Sequence, residues 1–101
     1  MAKVYNFTAE FSDFVWIGGG TGRSFNKPLS VVLGLSGQAN VDIEVYKGST
    51  KVGTVTTTLF QGAVNFPIGH LTSSGGLYRI RLSNRRYLRP VKVTSGSVYY
   101  T

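Results

Sequence analysis

Ser74-Gly75-Gly76-Leu77-Tyr78-Arg79-Ile80-Arg81-Leu82 is the stretch on which the fold turns. Two glycines open a tight turn, and strict alternation follows. Tyr78, Ile80 and Leu82 fall on one face, while Arg79, Arg81 and Ser83 fall on the other. Side chains two apart share a face of a strand, so the pattern predicts a half-buried β-strand behind a turn.

The same period recurs on both sides of it. Tyr5, Phe7, Ala9 and Phe11 alternate with Asn6, Thr8 and Glu10. Phe14-Val15-Trp16-Ile17 is a short apolar run, read as a buried strand or a packed connector. Leu29, Val31, Leu33 and Leu35 predict another strand; Val41, Ile43 and Val45 predict the next, with Asp42, Glu44 and Tyr46 opposite. Lys51 to Phe60 is β-rich, with Val55, Thr57 and Leu59 on one side. Val64, Phe66 and Ile68 alternate, and Pro67 marks a strand end or a sheet edge. Asn84-Arg85 reads as a hairpin turn, after which Val91 and Val93 return to the core. The tail Ser97–Thr101 reads as an edge strand or a segment docked on a neighbour. No helical period is sustained. About seven short strands with regular turns predict a single all-β domain, an antiparallel sandwich or barrel over residues 1–101.

Composition agrees. The 13 glycines and the many threonines, valines and tyrosines suit short strands joined by turns. The absence of cysteine excludes disulfides and thiolate metal sites. No run reaches the roughly 18 apolar residues of a membrane span, and the opening Met1-Ala2-Lys3-Val4-Tyr5-Asn6 lacks the apolar core of a secretory signal. The expectation is a chain made in the cytoplasm, with no membrane partner. Its net charge of +7 favours a negatively charged partner.

Ser74-Gly75-Gly76-Leu77-Tyr78-Arg79-Ile80 resembles the Asp-x-Gly-x-Tyr-x-Cys signature of immunoglobulin-like domains, with Ser74 in place of the Asp and Ile80 in place of the Cys. The resemblance implies an immunoglobulin-like β-sandwich in which Tyr78 is a tyrosine corner, ring in the core and hydroxyl bonded to backbone near Thr72 to Ser74. It also implies that Ile80 meets Leu33 or a neighbour on the second strand where the cysteine pair would lie, and that the third and sixth strands are neighbours. Asp42 and Glu44 would then face Arg79 and Arg81 across the sheet, each opposite-charge pair contributing roughly 0.2–1 kcal/mol. Trp16 lies too early in the chain to be the family's core tryptophan.

No catalytic, cofactor-binding or metal-binding constellation is evident. His70 is the only histidine and sits in a turn between Gly69 and Leu71. Glu10 and Asp13 read as exposed acids at a strand end, and no base accompanies Ser12. Gly18-Gly19-Gly20-Thr21-Gly22-Arg23-Ser24 lacks the lysine and the following helix of a phosphate-binding loop, and reads as a plain or contact loop. The expectation is therefore a non-enzymatic protein with no small-molecule substrate.

Two sets of residues remain as candidates for partner binding. Arg79, Arg81, Arg85, Arg86, Arg89 and Lys92 crowd together, with Tyr87 among them. They suit docking on an acidic protein surface, nucleic-acid binding with Tyr87 stacking a base, or a merely solvated hairpin partly neutralised by Asp42 and Glu44. Phe14, Trp16, Phe25, Tyr99 and Tyr100 are core residues or, if exposed, partner-binding or sugar-stacking ones. A small, cysteine-free sandwich without reactive groups looks like the decoration, head-fibre and tail proteins of tailed-phage virions. That resemblance implies a structural role in the virion, with capsid or other virion proteins and further copies of the chain as partners. A nucleic-acid-binding barrel and a carbohydrate-binding or host-adhesion module are the alternatives.

Overall fold

The computed structural model describes residues 3–85 and 89–101. Nine strands follow in order: β1 (Lys3–Phe11), β2 (Phe14–Trp16), β3 (Phe25–Asn26), β4 (Ser30–Ala39), β5 (Val41–Lys47), β6 (Thr50–Thr56), β7 (Phe60–Pro67), β8 (Leu77–Asn84) and β9 (Val91–Tyr100), with a 3-10 turn at Gly69–Leu71. They form two antiparallel sheets, β1-β9-β4-β7 and β2-β8-β5-β6, with β3 added to β8. β2 and β3 lie along one edge of β8, at Ser83–Arg81 and at Tyr78–Leu77, separated by the glycine loop.

The two-sheet antiparallel sandwich expected from the sequence is thus present, and it is consistent with an immunoglobulin-like domain. The third and sixth predicted strands, now β5 and β8, are neighbours as expected, with Glu44 directly opposite Arg81. The order as a whole is more specific. Leaving β3 aside, the first strand pairs with the last, the second with the second-last, and so inward to the β5–β6 hairpin at Gly48. One long ladder, rolled so that successive rungs fall in opposite sheets, is the jelly-roll form of the sandwich.

Alternation explains which side chains are buried. Val31, Leu33 and Leu35 point inward from β4, Val41, Ile43 and Val45 from β5, and Tyr78, Ile80 and Leu82 from β8, all at 4% exposure or less. On β9 the phase changes: Val91 and Val93 are buried, and then so are Gly96 and Val98. A bulge at Thr94 and Ser95 accounts for the change, because pairing with β4 passes from Gly34–Ser95 to Leu35–Val93. Ser95-Gly96 is therefore not a break before a separate tail.

Three local expectations need correction. Asn84-Arg85 does not close a hairpin, because β8 and β9 belong to different sheets. Asn84 takes the next inward position after Leu82; its buried carboxamide donates to the carbonyls of Ser12 (3.1 Å) and Arg89 (2.8 Å), anchoring a crossover. The tail is not an edge strand either, since β9 is paired on both sides, to β1 and to β4. Finally, the β-rich stretch from Lys51 to Phe60 divides. Thr57 turns inward, donates its N–H to the Val41 carbonyl at 3.0 Å and accepts a 2.9 Å hydrogen bond from the Val41 N–H on its hydroxyl, while Leu59 is left exposed.

Candidate functional site

Odd-numbered positions of β8 and even-numbered positions of β2 and β5 face away from the core, so Arg79, Arg81, Phe14, Trp16, Glu44 and Tyr46 share the outer face of one sheet. Glu44 is its electrostatic centre. One carboxylate oxygen accepts from Arg81 Nε (2.7 Å) and Ser83 Oγ (2.6 Å), and the other from Lys51 Nζ (3.2 Å). Burial would push this carboxyl up, but the hydrogen bonds from Arg81, Ser83 and Lys51, with Arg81's charge, outweigh it and hold the pKa at about 2. Asp42 accepts from Thr56 and lies 3.5 Å from Arg85 Nε.

An aromatic frame surrounds the arginines. The Arg81 guanidinium lies 4.8 Å from the ring centre of Phe14, 5.4 Å from Tyr46 and 5.5 Å from Trp16. Trp16 meets Tyr46 edge-on at 5.0 Å and carries the Arg79 guanidinium over its ring at 4.7 Å. Such stacking costs a guanidinium little hydration and leaves its charge in place. Among the described residues no carboxylate pairs with Arg79, contrary to expectation. Its terminal nitrogens donate to the carbonyls of Thr21 and Gly48, each at 2.6 Å, tying the glycine loop to the β5–β6 turn. Gly22 has a positive φ and lies so close to Trp16 that a side chain there would strike the indole.

The basic residues that crowd together in sequence are not brought together on one face. Arg79 and Arg81 lie on the β8 face, Arg85 and Arg89 flank the crossover, and Lys92 is on the other sheet opposite Glu10. Arg86 and Tyr87 lie outside the described residues. Tyr99 is exposed on the outer side of the β9 sheet, whereas Tyr100 packs edge-on against buried Phe25 at 5.3 Å. The Tyr78 ring is buried in the core as expected, but the backbone bond of a tyrosine corner is replaced: its hydroxyl shares a 2.8 Å hydrogen bond with the Ser74 side chain. Ile80 and Leu33 both belong to the core cluster.

The grouping of Phe14, Trp16 and Tyr46 around Arg81 was only partly readable. Alternation places Tyr46 outward beside Glu44, but nothing local in the sequence shows that β2 pairs with β8. Among the described residues no group of three or more His, Asp or Glu side chains converges as a metal site, and no helix is long and apolar enough to cross a membrane. No family model, curated protein or solved structure matches the chain.

Proposed function

We propose that the chain is a structural binding protein, a virion component that works by docking and not by catalysis, and that the outer face of the β2-β8-β5-β6 sheet is its contact surface. The observation that supports this most directly is the Arg81 cluster. Phe14 is 45% exposed at its rim, Trp16 and Tyr46 are half-buried, and the cations Lys51, Arg79, Arg81 and Arg85 outnumber the carboxylates Asp42 and Glu44. Aromatics and arginines on a preformed frame are the residues that dominate protein interfaces, and excess positive charge selects an acidic protein surface. The jelly-roll order is shared by viral capsid and lectin domains, a fold-level analogy that favours a virion or a glycan role without fixing either. On a multivalent shell, modest contacts of this kind add up by avidity.

The test is incorporation into particles assembled from the genome that encodes the chain. Phe14→Ala combined with Arg85→Glu, whose guanidinium lies beside Asp42 at this face, should abolish co-purification with particles while leaving the circular dichroism spectrum unchanged; undiminished co-purification would overturn the proposal. Nucleic-acid binding is separated by titrating single- and double-stranded DNA across salt, where phosphate contacts give a linear fall of log affinity with log salt. A glycan array with a Trp16→Ala control separates the lectin reading.

A further inference from the structure

Among the described residues, the edge strands of the sandwich are not equally protected, and β3 is only two residues long. β2 is three residues long. β1 carries Lys3 and Glu10 and faces the bulge in β9. β6 carries Lys51 in the second position of its seven residues. β7, Phe-Gln-Gly-Ala-Val-Asn-Phe-Pro, runs for eight residues with no charged side chain and with Gln61 to Asn65 exposed throughout. Long, uncharged edges are what soluble proteins avoid, because their free N–H and C=O groups template another strand.

The backbone phase of β7 fixes which groups are free. The Ile68 N–H donates to Leu29 O on the β4 side at 2.9 Å. Pairing with β4 is regular from Gly62 to Pro67, so Phe66 and Val64 also turn their N–H groups toward β4. Ala63 and Asn65 therefore present theirs to the open edge, where Pro67 has none to offer.

We propose that β7 pairs antiparallel with β7 of a second copy, about a two-fold axis through Val64. In this register Ala63 exchanges N–H···O=C bonds with Asn65 of the other copy, and Asn65 with its Ala63. Val64, 36% exposed on the side facing the gap between the sheets, meets its own counterpart at a close, non-hydrogen-bonded position. Phe66 lies across from Gly62, a ring over the one position in the strand with no side chain to obstruct it. The occupant follows from charge as well as from register. Two molecules of net charge +7 repel, and an uncharged edge is where they approach at least cost; an isologous pair needs only a self-complementary strand. This inference is independent of the docking face, which lies on the opposite sheet.

The cysteine-free chain permits a clean test. Val64→Cys should form an intermolecular disulfide on mild oxidation, since the Cα atoms of such a pair lie about 4.5 Å apart, while Thr8→Cys on the outer face should not. Asn65→Pro removes only an outward N–H and retains the β4 pairing. By sedimentation equilibrium from about 1 µM to 1 mM, the span of affinities expected of modest interfaces, the unmodified chain should reach twice its monomer mass and Asn65→Pro should stay monomeric with an unchanged dichroism spectrum. A chain that is monomeric throughout that range, a folded Asn65→Pro variant that still dimerises, or a Val64→Cys variant that does not cross-link would overturn the proposal.

Discussion

Glu44 shows how one side chain sets both the stability and the charge of a face. Its pKa lies at about 2, below its ordinary 4.5. A carboxyl whose folded pKa is depressed stabilises the protein above the unfolded value, and that contribution is lost as pH falls through the folded one. Unfolding free energy measured in urea should therefore drop by on the order of 2 kcal/mol between about pH 5 and pH 2. Glu44→Gln should flatten that dependence and cost about 1–3 kcal/mol at pH 7, because Arg81 and Lys51 lose their counter-charge. Tyr78 makes a second test. Tyr78→Phe removes the hydrogen bond to Ser74 and should cost about 0.5–1.5 kcal/mol by chemical denaturation, whereas Ser74→Ala, which strands a buried phenol, should cost about 1–3 kcal/mol. A double-mutant cycle between the two should show coupling. Tyr78's place was readable because Gly-x-Tyr and alternation coincide there; its partner was not, because a serine hydroxyl and a backbone carbonyl compete for the phenol at similar range.

Strand alternation revealed most of the elements but not how they are joined. Val31 to Leu35, Val41 to Val45 and Tyr78 to Leu82 are inward as their periods predict. The failures fall where the chain changes sheet or phase. Thr57 and Asn84 are polar residues in inward positions; a local reading takes Asn84 for a turn and runs the strand straight on through Thr57. The β9 bulge hides one continuous strand as two pieces. That strand offers its own prediction. Gly96 sits opposite Phe7, and any side chain at Gly96 would collide with the phenyl ring. Gly96→Ala should destabilise by about 1–3 kcal/mol through overpacking, and the smaller ring position of Phe7→Leu should relieve part of it, as thermal unfolding would show. On the opposite sheet, Arg79→Lys keeps the charge but loses the fork that spans Thr21 and Gly48. Amide exchange should accelerate in the glycine loop and at the β5–β6 turn, with little change elsewhere.

For the molecule as a whole, the nested ladder has a kinetic cost. β1 must find β9, nearly the full chain length away, and only β5–β6 closes locally. Refolding should accordingly fall in the range of about milliseconds to seconds, as for other sandwiches dominated by distant pairings; microsecond refolding would contradict the strand order. The order could not be derived from periods, since alternation specifies which face a residue takes and is silent on which strand lies beside it. The pairing that opens and closes the ladder has another consequence. Lys3 lies opposite Tyr100, and the Thr101 N–H is held by Asn26 O at 2.9 Å. A short Gly/Ser bridge could thus splice head to tail into a ring. Circularisation would restrict the unfolded chain and raise stability by up to roughly 4 kcal/mol on the chain-entropy account, and reopening the ring at Gly48-Ser49 would give a permuted protein with the same sandwich and its entry point moved to the centre of the ladder.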